Sequence, residues 1–291
     1  MKKGFMAAMA LTLTMAMMTG CQSSKAPEAP EKDVPAQTTE EYENKLEKIK
    51  AEGKIVLGTS PDFAPSEFQN ISSGKIEYVG SDIELAKYIA EQLEVELEIK
   101  PMEFMAIQQG IMSDVVDMGI SAFAYTEERA ETLGLSDFYN KQSDKGHSIL
   151  VMKDKASDYK TAEDFSGKKI AAQNASLQQT LVENNLPDDV ELKPISAITD
   201  GILMLTSGKI DGLAVAVSNG EQLIASYPEI ALTEFKFDHI EDGNVLAVKK
   251  GEDELLEAIN DILAEVNEKG LYEQWRADAI ELAKSLNIDV K

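Results

Sequence analysis

The chain has 291 residues, with 28 Lys and Arg against 52 Asp and Glu, a formal charge of −24, one cysteine and two histidines. Its only arginines are Arg129 and Arg276, which excludes nucleic-acid binding through a basic face, because neutralising phosphates takes clustered cations. One cysteine permits neither an intramolecular disulfide nor a multi-cysteine metal site, and His147 and His239 are too distant in sequence for a paired-histidine motif, so no metal and no cofactor is expected.

Residues 1–20 open with Lys2 and Lys3, continue through an apolar run from Phe5 to Met18 and end in small residues, the pattern of a secretory signal. That run is too short to span a membrane as a helix, and no later one is longer. Met18-Thr19-Gly20-Cys21 resembles a bacterial lipobox, with methionine where leucine is usual, and would make Cys21 the lipidated first residue of the mature chain. The alternative is an ordinary signal peptide beside an incidental thiol. From Gln22 to about Thr39 the chain is Ser, Pro, Ala, Glu and Lys without apolar periodicity, a tether that a short helix from Glu41 to Ala51 would close.

Beyond the tether, strand-like and helix-like segments alternate, which predicts an α/β fold. The first set is a strand over Lys54–Thr59, a helix over Ser81–Leu93, alternation at Val95, Leu97 and Ile99, a helix over Phe104–Met112 and a strand over Val116–Ser121. The second set repeats that order with a strand at Lys168–Gln173, a helix at Ser176–Asn185, a strand at Val190–Ile195, a helix at Thr199–Thr206 and a strand at Ile210–Val217. Matched order and spacing, with Val116-Asp117 echoed by Ile210-Asp211, predict two related lobes. Asp117 and Asp211 open buried strands, where a carboxylate accepting backbone N–H groups is a better reading than a catalytic acid. Ligands of such sheets sit beyond the strands' carboxyl ends, which directs attention to the loops Ser60–Phe68, Ser121–Arg129 and Asn174–Leu177.

No P-loop, GxGxxG or GxSxG motif is present, and Ser72-Ser73-Gly74-Lys75 matches the serine-acylase pattern without its companions. The loops offer recognition groups instead. Arg129 follows the helix cap Thr126 within one turn, where the helix dipole disfavours a cation. It reads equally as a bidentate carboxylate clamp or as a surface partner of Glu127, Glu128 or Glu131. Phe63 and Phe104 read either as aromatic walls of a cleft or as core. Asn174 and Ser176 meet a helix amino terminus, where Ser176 either holds an anion or only caps the helix.

Several runs, taken together and in order, resemble the family 3 extracellular solute-binding proteins, the amino-acid receptors of ABC importers. They are Gly53–Thr59 leading to Phe63-Ala64-Pro65-Ser66-Glu67-Phe68, Gly80-Ser81-Asp82-Ile83-Glu84-Leu85-Ala86, Val116-Asp117 leading to Thr126-Glu127-Glu128-Arg129, and Leu135-Ser136-Asp137-Phe138-Tyr139. Phe165-Ser166-Gly167-Lys168-Lys169-Ile170, Gly208-Lys209-Ile210-Asp211-Gly212, Lys250-Gly251, Ile259-Asn260 and Gly270-Leu271-Tyr272-Glu273-Gln274-Trp275 extend the likeness over nearly all of residues 50–278.

The resemblance implies a type II, two-lobed periplasmic-binding-protein-like fold with a ligand cleft between lobes and hinge crossovers near residues 139–144 and 239–246. Residues 1–20 are then the signal, 21–45 the lipidated cysteine and tether, 46–141 with 245–291 the first lobe, and 142–244 the second. It gives Arg129 the ligand carboxylate, Phe63 and Phe104 the aromatic sandwich, and Ser121, Ala122 and Ser176 the rest of the carboxylate site, with Asn174 and Ser60 beside them. Two departures bear on the ligand. Ala216 and Ser60 stand where many members carry acids, leaving no obvious partner for an ammonium or a cationic side chain, although Asp62 or Glu67 would serve if either reached the cleft.

The expected function is an extracytoplasmic, lipid-anchored receptor, on the outer face of the cytoplasmic membrane or in a periplasm, monomeric, passing a small carboxylate-bearing solute to ABC permease subunits, the solute being an amino acid, polar or hydrophobic in preference to lysine, arginine or histidine. It is not expected to be an enzyme. Alternatives on the same fold are a cyclohexadienyl-dehydratase-like enzyme, for which the loops supply no evident general acid, and the ligand-sensing module of a receptor.

Overall fold

The computed structural model describes residues 42–140, 145–239 and 243–286. The expected signal 1–20, Cys21 and the tether from Gln22 to Thr39 lie outside the described residues, as do 141–144 and 240–242, which hold much of the two expected crossovers.

Helix α1 (Lys45–Glu52) begins later than the expected Glu41, because Asn44 is the cap: its side chain accepts the Glu47 N–H, and Gly53 closes the helix at φ 66. Strand β1 (Lys54–Thr59) follows over the expected span. In place of a simple loop after Ser60 comes a small antiparallel sheet of β2 (Asp62–Phe63), β3 (Glu67–Asn70) and β4 (Glu77–Val79). Helix α2 (Ser81–Gln92) buries Ile83, Ala86 and Ile89, the apolar stripe its spacing predicts.

Gly80 stands before α2 at φ 128, and a Cβ there would lie 2.2 Å from the Ser66 carbonyl oxygen. Only glycine allows that approach. It lets the Ser81 and Asp82 N–H groups donate to the carbonyls of Pro65 and Ser66 at 3.0 and 2.9 Å, so the hairpin itself satisfies the free amino end of α2. Glu67 is thereby set beside Asp82.

The first lobe continues through β5 (Glu96–Pro101), α3 (Phe104–Met112), β6 (Met118–Ala124), α4 (Glu127–Thr132) and β7 (Leu133–Leu135). The second contains β8 (His147–Met152), β9 (Lys169–Gln173), α5 (Leu177–Asn185), β10 (Glu191–Ile195), α6 (Ile198–Thr206), β11 (Gly212–Ala216), α7 (Val217–Ser226) and β12 (Ile230–Lys236). The chain then returns to the first sheet with β13 (Asn244–Lys249) and ends in α8 (Asp253–Lys269) and α9 (Leu271–Ser285).

The two five-stranded sheets run β5-β1-β6-β13-β7 and β10-β9-β11-β8-β12. In each, the first three strands are parallel, the fourth is antiparallel to the third, and the fifth is antiparallel to the fourth. The predicted repeat is thus present strand for strand. It extends to the two aspartates: the Val56 N–H donates to Asp117 Oδ2 and the Lys169 N–H to Asp211 Oδ2, both at 2.9 Å, while each aspartate's own N–H returns to the carbonyl of the same residue. Both carboxylates hold the start of a parallel pair together, as their position suggested.

Ile55 and Leu57 of β1, Met118 and Ile120 of β6, the buried face of α2 and Leu255, Ile259, Leu263 and Val266 of α8 form one core under the first sheet. Ile107 and Ile111 of α3 pack with Val116, Phe123 and Val245 on its other face. At about 1.5–3 kcal/mol for each fully buried aliphatic or aromatic side chain, these layers hold the sheet rigid beneath its loops.

The third strand differs most from expectation. Val116 and Asp117 precede β6, since Asp117 is engaged with β1, and the strand runs past Ser121 to Ala124. Ala122 sits there at φ 47, and the β6–β13 register shifts at this end of the strand pair. Strand β11 likewise starts at Gly212, after Asp211. Among the described residues no helix is long and apolar enough to cross a membrane.

Candidate functional site

The carboxyl ends of β1, β6, β9 and β11 open on a cavity of about 80 Å³ between the two sheets, which suits a small solute and not a macromolecule. Seven of the eight residues expected at the site line it: Ser60, Phe63, Phe104, Ser121, Ala122, Arg129 and Ser176. Asn174 lies on an adjoining groove instead, with its amide directed at Met105. Among the described residues no group of three or more His, Cys, Asp or Glu is arranged to hold a metal ion.

Arg129 is 6% exposed, buried and not on the surface. Thr126 caps α4 by accepting the Arg129 N–H at 3.2 Å, which aims the side chain inward. Its Nη1 donates to the Ala124 carbonyl at 2.6 Å and its Nη2 to the Ala175 carbonyl at 2.8 Å, so it touches both lobes. The cation also lies 5.5 Å from the Phe104 ring centre and 5.4 Å from that of Phe123, where aromatic faces favour it. Phe104 thus serves both readings the sequence offered, packing on Phe123 at 4.8 Å between ring centres while it walls the cavity.

Two alanines lie in the left-handed region, Ala122 lining this cavity at φ 47 and Ala175 lining the adjoining groove at φ 59, a conformation that costs a non-glycine residue about 1–2 kcal/mol. Both are held from outside. The Ala122 N–H donates to Asp82 Oδ2 at 2.8 Å and its carbonyl accepts from Asn244 Nδ2 at 3.0 Å. The Ala175 N–H donates to Gln179 Oε1 at 2.8 Å, and its carbonyl receives Arg129. Ser176 accepts the Gln179 N–H at 3.2 Å as the cap of α5 and lines the cavity as well.

Where Ala216 and Ser60 bring no acid to the cavity, two acids line it from β2 and β3. Asp62 lines the cavity, accepts the Ser60 hydroxyl at 3.0 Å on one oxygen and, on the other, the Ile198 N–H at 3.0 Å from the amino end of α6 in the second lobe. Burial raises its pKa, opposed by the Ile198 and Ser60 hydrogen bonds. Glu67 is 1% exposed and also lines the cavity. Its Oε1 accepts the Ser121 hydroxyl at 2.8 Å, and Ser121 in turn accepts the Ser60 N–H at 3.1 Å.

Behind Glu67, Asp82 is fully buried and accepts from Tyr272 at 2.6 Å, Ala122 at 2.8 Å and Tyr139 at 2.9 Å. Burial pushes the Glu67 carboxyl well above the ordinary glutamate range, with the Asp82 charge adding to it. Asp82 is raised by burial too, against the three hydrogen bonds it accepts. Sequence reasoning left Glu67 and Asp62 unplaced and gave Asp82 no role beyond a family motif. A glutamate between Ser66 and Phe68 reads as surface, and an aspartate in a helix's first turn reads as a complement to the dipole. Only the Gly80 close approach turns them toward each other.

The profile of the bacterial extracellular solute-binding proteins, family 3, matches residues 55–278. The chain is 27% identical over 238 residues to the L-cystine-binding protein TcyJ of Escherichia coli, covering 80% of this chain and 86% of that one. It is 26% identical over 227 residues to the arginine-binding extracellular protein ArtP of Bacillus subtilis, covering 77% and 84%. Among solved structures it resembles the amino acid ABC transporter substrate-binding protein AbpA of Streptococcus pneumoniae bound to L-arginine, with a TM-score of 0.76, 32% identity and coverage of 81% and 98%. It also resembles a mutant of ArgBP from T. maritima, with a TM-score of 0.71, 32% identity and coverage of 82% and 99%.

Proposed function

The chain belongs to the bacterial extracellular solute-binding proteins of family 3, and from that premise we propose that it is the amino-acid-binding component of an ABC importer. The observation that carries the reading is Arg129: a buried guanidinium at the wall of a small cavity between two sheets, held by main-chain carbonyls from both lobes. A ligand carboxylate is the natural partner for such a fork.

In this reading Arg129 grips the carboxylate, with Ser121, Ala122 and Ser176 completing that end, and Phe63 and Phe104 enclose the ligand. Ser60 supports Ser121 through its N–H. Asp62 and Glu67 are the acids available to the ligand's cationic groups. Residues 46–141 with 244–291 form one lobe, because Asn244 opens β13 of the first sheet and is not the last residue of the second lobe, and 142–243 form the other; contacts from both stabilise the closed arrangement over the ligand. No bond is broken. The mature chain begins at a lipidated Cys21, works as a monomer on the outer face of the membrane, and hands its ligand to permease subunits.

A thermal-shift screen of the purified protein against the common L-amino acids tests the assignment, because ligand at 100 times Kd adds about 2.7 kcal/mol of stability. A clear rise in Tm with at least one amino acid is expected. No shift with any amino acid, or turnover of the ligand on incubation, would overturn it. Cys21→Ala should release the protein from membranes, and retention there would contradict the anchor.

A further inference from the structure

The carboxyl pair behind the cavity wall has more negative charge than its surroundings can hold. Glu67 and Asp82 are both buried and adjacent: Glu67 accepts the Ser121 hydroxyl and Asp82 the N–H of the next residue, Ala122, both at 2.8 Å, while the Asp82 N–H donates to the carbonyl of Ser66 beside Glu67 at 2.9 Å. The groups bonded to them are hydroxyls of Ser121, Tyr139 and Tyr272 and the N–H of Ala122, with no cation in the set. Asp82 has both oxygens occupied by donors, whereas Glu67 Oε2 is buried with no donor of its own. Two buried carboxylates at this spacing cannot both stay ionised, but a single proton on Glu67 Oε2 removes one charge and gives that oxygen a partner in Asp82.

Other charged groups face this wall from every side. Asp62 on β2 adds to the negative potential at Glu67. Across the cavity stand Arg129, Lys145 and His147. Lys145 pairs with Glu221 at 2.6 Å, Arg129 binds the two carbonyls described above, and His147 Nδ1 meets Gln178 at 3.0 Å. Along β6, the Ser121 position that touches Glu67 is three residues from the Ala124 carbonyl that holds Arg129, up to roughly 10 Å at the ordinary strand rise. Glu67 and Arg129 thus line one cavity within the span of a single ligand, whose carboxylate sits at Arg129 while a cationic side chain reaches Glu67.

We propose that Glu67 and Asp82 share one proton in the wall of the cleft, and that a cationic ligand side chain reaching Glu67 displaces it, so that binding releases a proton to solvent. This makes Glu67 the residue that selects cationic over neutral side chains, and it rests on the amino-acid-binding reading above. The site then couples affinity to pH. Below the pair's own titration range the proton competes with the ligand, and affinity tightens as pH rises, by up to about tenfold per unit for one proton displaced.

Two measurements decide it. The first is carbon-13 NMR titration of the Glu67 carboxyl, assigned with Glu67→Gln, in which Glu67 should stay protonated well above the ordinary glutamate range. Titration within that range overturns the shared proton, whatever the ligand. The second is calorimetry with L-arginine and its neutral isostere L-citrulline in buffers of different ionisation enthalpy. Arginine binding should release up to one proton and exceed citrulline binding by about 30-fold or more, the scale of a buried charge contact.

Glu67→Gln, whose amide can donate to Asp82 as the protonated acid does, should fold normally, lose proton release and lose most of that preference. Arginine binding without proton release, or equal release with citrulline, overturns the displacement. Binding of neutral amino acids but not of arginine or lysine overturns this proposal and leaves the functional assignment intact. Binding of no amino acid at all is instead the failure of that assignment.

Discussion

Replacing Asp82 with alanine removes the acceptor on which three buried donors depend: the Ala122 N–H at 2.8 Å, the Tyr139 hydroxyl at 2.9 Å and the Tyr272 hydroxyl at 2.6 Å. A buried donor left unsatisfied costs about 1–3 kcal/mol, which gives about 3–9 kcal/mol for three. Recovering the desolvation of the lost charge, and admitting water to the space, offset part of this, so the expected loss is near the lower end, about 3–5 kcal/mol. For a chain of this size that is a fall in Tm of about 10 °C. Asp82→Asn keeps an acceptor and should lose less, about 1–2 kcal/mol. The assay is urea unfolding followed by circular dichroism at neutral pH. Asp82→Ala within 1 kcal/mol of the parent would refute the idea that this carboxylate holds Ala122 and the two tyrosines in place.

The same pair sets a pH dependence of stability. Because the folded-state pKa of Glu67 is raised, its contribution to stability is full below the ordinary glutamate range and is lost as pH rises through the folded value, so the parent should lose stability relative to Glu67→Gln as pH is raised. Parallel unfolding curves for the two proteins across that window would contradict this. Lys45 reaches Asp114 at 2.9 Å and Asp117 at 3.0 Å with its side chain 5% exposed, so Lys45→Met should cost about 2–3 kcal/mol by leaving Asp117 without its counter-ion. A denaturant midpoint unchanged by that substitution would rule the pair out as a fastener of α1. At Ala175, glycine relieves the left-handed strain but gains unfolded-state freedom and should be neutral within about 1 kcal/mol, whereas valine should cost about 2 kcal/mol or more and weaken ligand binding. Equal stability of the two variants would show that the positive φ is not maintained in solution.

The order of strands and helices was legible from periodicity and the internal repeat, and the buried-strand aspartates Asp117 and Asp211 were legible from their position. Boundaries moved where side chains intervene: Asn44 starts α1, and Asp117 delays β6. Arg129 and Phe63 could be singled out because a lone arginine against the helix dipole, or an aromatic in a polar loop, is locally unfavourable and invites a reason, and Phe104 because it heads the helix that follows a strand. Glu67 and Asp82 carried no such signal. Their positions are ordinary for a hairpin and a helix start, and their meeting depends on the main-chain approach of Gly80 to Ser66, which depends on tertiary packing and not on local pattern. The left-handed Ala122 and Ala175 were hidden for the same reason, since alanine gives no hint of positive φ.

The central claim is that an amino acid binds in the cleft with its carboxylate on Arg129, and calorimetric titration of the parent protein and of Arg129→Ala with the amino acid giving the largest thermal shift tests it most directly. Loss of a paired set of charge-assisted hydrogen bonds, about 3 kcal/mol or more, predicts that the variant binds at least about 100-fold more weakly while keeping its fold. Binding of equal affinity in the two proteins would contradict the account.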